Sequence, residues 1–482
     1  MRRRWRWARR GLVSLAVLFV VWGVATWWDR ARTEAQGREE LARVIAELDA
    51  TDPRWRWEAI ETDRPPVADA ENSMGRIREA SAAMVKWTPL EVMLPNGDDV
   101  LLEERPTNRR LDAGRLAIVH RFLQKQRHSL ALAVTLKDFP HGRATLQLMP
   151  DVLSTPLPHA EACQQVYQLL DMDTRRLLHE GKSIEARSRI RALFHTAAAL
   201  RGEPMAISQL VRLAGRSRAL RCIDQLLGAG EVTDQECRDL MSHLTPEGDE
   251  GPMVAALRGE RAGYHFLFTN LEGGQVPLAT FWQDPFRGDY QIRPALSSRL
   301  LAWYYAPRLT EDHAHCLQTF SAALAIAKRP SHEQLAAWDN LHQTMLATRK
   351  TAETNHQRFF SALLFPDRKV CVAELRDRAH TSCVRAALAA ERFRLANKRW
   401  PKSLDELCPA FLPLVPHDPY TGDPLVFSER EDGVVIYSVG MDGTDDGGVY
   451  FSLTGQPDTD LGVRLWNPNR RGLDPLKIPT AE

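Results

Sequence analysis

The residues with the clearest chemical potential are three carboxylates in one glycine-rich stretch. They are Asp442, Asp445 and Asp446, within Gly440-Met-Asp-Gly-Thr-Asp-Asp-Gly-Gly448. Carboxylate and carbonyl oxygens are hard ligands that suit Ca²⁺, which binds such oxygens at about 2.3–2.6 Å. Glycines let backbone carbonyls turn toward an ion. Calcium is therefore the cofactor expected at these three residues. A plain polar turn is the simpler alternative, since Gly and Asp also dominate turns. Other residues carry weaker signals. On a helix, His313 and His315 point about 200° apart and do not converge on one metal. With His342 they read as solvated helical histidines. Asp69, Glu71, Asn72 and Ser73 read as a polar loop rather than an acid–base pair. Arg258, Glu260 and Arg261 read as surface ion pairs or an interhelical bridge. The sequence has no P-loop, no GxGxxG, no HExxH and no paired CxxC, so no catalytic residue is assigned.

The carboxylate stretch directly follows a strand-like run, Val434–Val439, preceded by Leu425–Phe427 and an Asp432-Gly433 hairpin turn. Upstream, Pro413, Pro416 and Pro419 forbid helix. Asp418–Pro424 reads as a turn, and Ser403-Leu-Asp-Glu406 as a capping box opening a short helix. Before that, Lys369–Asn397 is the longest helical pattern, ended at Asn397-Lys398 because Asn tolerates the left-handed conformation. Cys371 and Cys383 share this helix about 18 Å apart, too far to bridge. The other five cysteines also read as buried thiols rather than a disulfide scaffold.

Together these residues carry a resemblance. The helix from Cys383 to Asn397 followed by Trp400-Pro401, Leu404 and Leu407, Phe411-Leu-Pro413, Asp418-Pro-Tyr420 and Tyr437-Ser-Val-Gly-Met-Asp-Gly443 resembles the globular head of type II secretion major pseudopilins. It covers roughly Cys383 to Gly448. The resemblance implies a small α+β head, and a loop that binds calcium in several members of that family. The chain departs from the family pattern near its N-terminus. It lacks the Gly/Phe-Thr-x-x-Glu processing site, and over 350 residues separate its apolar segment from the head. The resemblance therefore implies a fused head rather than a pilus subunit. The whole layout resembles large membrane-anchored bacterial proteins that end in this head.

The apolar segment is Gly11–Trp28, interrupted only by Ser14 and Thr26. As a helix it spans about 27 Å, close to the hydrocarbon thickness of a bilayer. Six arginines precede it within residues 1–10, and Trp5, Trp7, Trp27 and Trp28 flank it. Arginine is retained on the cytoplasmic side and indole prefers the interfaces. The expectation is one pass through the inner (cytoplasmic) membrane, N-terminus inside and the rest periplasmic or extracellular. A signal peptide cleaved near Gly23-Val-Ala25 is the alternative. Those six arginines leave −5 for the remainder of a chain whose net charge is +1. No basic surplus remains to neutralise phosphates, which argues against nucleic acid as a partner.

Between span and head the pattern is helical. Arg30–Leu48 continues from the span, and Trp55 and Trp57 read as a short extended piece or a packing wedge. Leu130–Val134 and Thr145–Leu148 read equally as strands. Thr233 and Glu236 form a capping box. The fold expected is mainly α: a transmembrane helix, an irregular helical bundle or α-solenoid-like array, and a small α+β head. The expected divisions are a basic tail (1–10), the span (11–28), a membrane-proximal region (29–109), a helical domain (110–368), the head (369–472) and a tail (473–482). The function expected is a membrane-anchored extracytoplasmic scaffold with a protein partner and the lipid bilayer held through Gly11–Trp28. A cell-envelope hydrolase, with its site between the helical domain and the loop Gly273–Pro294, is the alternative.

Overall fold

The computed structural model of this 482-residue chain describes residues 2–87, 106–244, 251–283, 295–355, 364, 366, 368–448 and 460–474. The sequence also predicts a turn at Asn96–Asp98 and a helix over Thr354–Leu364; the turn, most of that helix, and Phe286 and Tyr290 of the loop Gly273–Pro294 lie outside these residues.

Helix α1 (Arg2–Thr51) is one unbroken rod. Its apolar part is exposed from Val13 to Trp28, whereas Leu41, Val44 and Leu48 are buried. Among the described residues it is the one helix long and apolar enough to cross a membrane. Asp52-Pro53 stops it, and Trp55 folds back as a fully buried wedge. Two short helices follow, α2 (Trp57–Asp63) and α3 (Ser73–Ala82). Asn72 caps α3 by accepting from the Met74 amide. Asp112 likewise caps α4 (Ala113–Lys125). Then comes α5 (Arg127–Val134), where Leu130–Val134 had read equally as a strand. A short apolar run does not distinguish the two by period, and packing decides for helix. Thr145–Leu148 is neither helix nor strand.

The middle of the chain is a stack of helices: α6 (Pro158–His179), α7 (Ser183–Ala198), α8 (Ala206–Ala229), α9 (Asp234–Ser242) and α10 (Pro252–Glu272). Proline opens α6 and α10, where its missing amide costs nothing. Gly181, at φ 74°, ends α6 with Lys182 N–H donating to Leu177 O and Gly181 N–H to Leu178 O. The Thr233–Glu236 capping box forms at α9. Next are α11 (Leu278–Gln283), α12 (Leu296–Tyr305), α13 (Leu309–Ala327), α14 (Ser331–Asn355) and α15 (Arg368–Asn397).

The expected capping box at Ser403 does not form: Leu404–Leu407 is a 3₁₀ turn without a side-chain cap. The residue in the left-handed conformation after α15 is Lys398 (φ 59°), while Asn397 bonds back to Phe393 O. Three antiparallel strands follow, β1 (Val426–Arg430), β2 (Gly433–Ser438) and β3 (Leu461–Trp466), in the order β1-β2-β3. Arg430 pairs with Gly433, so the hairpin loop is Glu431-Asp432. Gly433 begins β2 at φ 154°, where a Cβ would overlap the Leu465 carbonyl.

Among the described residues the apolar interior falls into three clusters. The first joins helices α3–α9 to the second half of α15 and the sheet. The second gathers α10–α14 around the first half of α15. The third locks Leu41, Val44, Leu48 and Trp55 onto Ala314 and Leu317 of α13. Helix α15 is thus wrapped on most sides. Ala386, Ala387, Leu388, Ala389 and Ala390 are all fully buried, as expected for a helix apolar around its circumference.

Candidate metal site and polar clusters

The C-terminal loop is built from the sheet outward. Asp418, in the proline-rich turn, accepts from Ser438 Oγ and Tyr420 N–H on Oδ1 and from Val439 N–H on Oδ2, each at 2.9 Å. That buried carboxylate fixes where the chain leaves β2. Tyr437 OH donates to Asp445 Oδ1 at 2.8 Å, and Gly447 N–H donates to the same oxygen at 2.8 Å. Burial and the bond to Asp445 push the Tyr437 phenol up to about 12, so it keeps its proton. Asp442 Oδ1 accepts from Thr444 N–H at 3.0 Å. Arg430 on β1 donates to the Gly447 carbonyl.

Asp442, Asp445 and Asp446 are exposed. The sequence reading missed Asp460, just before β3, which is 2% exposed. Its Oδ2 accepts from Gly448 N–H at 2.7 Å, and the backbone N–H of Asp446 also bonds to the carboxylate. Burial raises its pKa, and the charges of Asp445 and Asp446 add to the rise. The available signal in sequence was its position opening the last strand; nothing local tied it to a loop twelve residues upstream. Among the described residues, no group of three or more His, Cys, Asp or Glu side chains is placed to hold a metal ion.

The histidines arrange themselves differently from the expectation of solvation. His313 is 1% exposed. Its Nδ1 lies 2.9 Å from Glu272 Oε1 and its Nε2 lies 2.9 Å from His265 Nδ1. His265 in turn packs against Trp55, ring centroids 4.6 Å apart. Burial and the neighbouring His313 push His265 down to about 3, so it is neutral. This chain joins α10 to α13 beneath the wedge at the end of α1. His315 and His342 are not part of it. The bridge expected at Arg258 and Arg261 is interhelical: both pair with Asp52 at the end of α1. Asn72 is used in folding, bonding Arg143 N–H and O as well as capping α3.

A cavity of about 700 Å³ opens between α8, α10, α14, α15 and the turn His417–Gly422. Its carboxylates are engaged. Glu374 accepts from Met253 N–H at the start of α10 and from Arg378, and Asp377 accepts from Arg216 at 3.0 Å. Of the loop Gly273–Pro294, Val276 and Phe281 lie in the second core cluster, and residues 284–294 lie outside the described part. Family models, curated proteins and solved structures yield no match to this chain.

Proposed function

We propose that this protein is a single-pass membrane protein, N-terminus cytoplasmic, that holds a helical scaffold and a pseudopilin-like head outside the cytoplasm as a protein-binding surface. The observation that carries the reading is α1. From Val13 to Trp28 it presents apolar side chains to the surroundings, and its second half is locked into the ectodomain without a break. A flexible tether would let the head drift; a rod continuous with the core fixes the head relative to the membrane. The head-like order of elements, with Asp418 pinning Ser438, supports the likeness to pseudopilins. Ca²⁺ is the ion proposed for the loop, held by Asp445, Asp446 and Asp442 with Asp460 completing the charge.

Affinity capture with the tagged full chain from detergent-solubilised membranes tests the scaffold reading. A partner recovered at fixed stoichiometry, and lost on charge reversal at an exposed site of the helical region, is expected. Recovery of no partner, together with substrate turnover in a screen of envelope polymers, would overturn it in favour of a hydrolase.

A further inference from the structure

Helix α12 has its faces reversed for a water-exposed helix. Ser298, Ala302 and Tyr305 face the molecule, with Tyr305 OH donating to buried Asp312. The opposite face presents Leu296, Leu300 and Trp303 at 70%, 59% and 56% exposure, flanked by Leu301 and Tyr304. Their spacing of four and three residues makes one continuous stripe. Water would favour polar side chains there.

The position of that stripe says what covers it. Arg30 of α1 donates from Nη1 to Trp303 O at 2.5 Å, and its guanidinium sits 4.2 Å from the Trp303 ring centroid. Arg30 is two residues beyond Trp28, a rise of about 3 Å along the helix. Trp303 therefore lies within the reach of the Arg30 side chain, just beyond Trp27 and Trp28, where the apolar run ends. Further cations pair with aromatic rings on the two helices. Arg32 lies over Trp28, and Arg308 lies over Tyr304 while donating to its carbonyl at 3.1 Å. Aromatic rings interleaved with arginines, beside an apolar stripe and the end of a membrane-length helix, make an interfacial belt.

We infer that α12 is an interfacial helix, lying with Leu296, Leu300 and Trp303 in the extracytoplasmic leaflet beside the span. The inference rests on the reading of α1 as a span. The protein then meets the bilayer at two points, and the second fixes how the ectodomain is tilted and rotated above it.

Spin labelling of the full chain in phosphatidylcholine–phosphatidylglycerol vesicles tests this. Six of the seven native thiols are buried, and Cys408→Ser removes the half-buried one. Labels are introduced singly as Leu300→Cys, Val17→Cys in the span, and Leu414→Cys, an exposed head position. The expected result is oxygen-favoured accessibility at 300 and 17, and access to a water-soluble nickel chelate at 414. Nickel access at 300 with lipid access at 17 would overturn the inference and leave the span intact. Protection from both reagents at 300 would overturn it in favour of a protein contact, such as a second copy. Nickel access at 17 would overturn the span itself, and the inference with it.

Discussion

Single residues in this chain do most of their work through buried charge. Asp224 on α8 is buried with Oδ1 unpartnered, and it accepts from the Arg464 backbone N–H of the edge strand β3. Burial pushes it from 3.8 to about 8. The native state therefore keeps a proton that the unfolded chain releases between those values. Stability is greatest below the lower value, falls as pH rises through the window, and is level above it. Asp224→Asn keeps an acceptor for Arg464 and removes that penalty. The variant is expected to gain about 2–4 kcal/mol at neutral pH, with a flatter melting temperature against pH; an unchanged pH profile would contradict the assignment. Asp460 follows similar logic at the loop, where the charges of Asp445 and Asp446 add to the effect of burial and the proposed cation would offset them. Calcium is expected to raise the melting temperature of the full chain more than magnesium does, by less as pH falls. Asp460→Asn and Asp445→Asn should each abolish most of that rise. No heat and no thermal shift on titration would remove calcium from the account. That Asp442, Asp445 and Asp446 share one exposed loop was legible from glycine and aspartate spacing. Asp460 and Asp224 were not, because burial gives them their character, nor were His265 and Glu272, which the packing of α10 on α13 brings to His313.

At the scale of elements, the sequence marks where helices start and stop better than how they meet. Pro158, Asn72, Asp112, Thr233 and Gly181 punctuate as their chemistry requires. Leu130–Val134 stayed open between strand and helix because a five-residue apolar run has no period to read. Close approaches were invisible. Gly259 on α10 faces the turn before α8, and a Cβ there would overlap the Pro204 carbonyl. Gly259→Ala must push two backbones apart, and a loss of roughly 1–3 kcal/mol is expected in chemical denaturation. A neutral result would mean the helices are free to separate. The head's attachment was also hidden. Glu391 on α15 is buried and paired with Arg471 at 2.8 and 2.9 Å and with Arg394 at 2.7 Å. The hydrogen bonds of Glu391 to these arginines hold its carboxyl below the usual range despite burial. Arg471 also donates to Gly230 O just after α8, and Leu473 exchanges backbone bonds with Asn108 and Arg110. Excising residues 369–471 would strip α15 of α8 and α9, so calcium titration belongs on the full chain.

The whole molecule is a rod anchored in a helical body that shares its core with a three-stranded head. Its mainly helical class and the long apolar N-terminal helix were readable from periodicity and hydropathy. The sharing of one core between residues 74–244 and 383–465 was not, because contacts so distant in sequence leave no local trace. The central claim is that α1 crosses the membrane with the body outside the cytoplasm. Leu414→Cys, in a Cys408→Ser background, places a thiol on an exposed position of the head. Treating intact spheroplasts with a membrane-impermeant maleimide reads its side directly. Modification without permeabilisation, with the protein sedimenting in the membrane fraction after alkaline washing, is the predicted result. Modification only after permeabilisation would contradict the account, as would release of the protein by the wash.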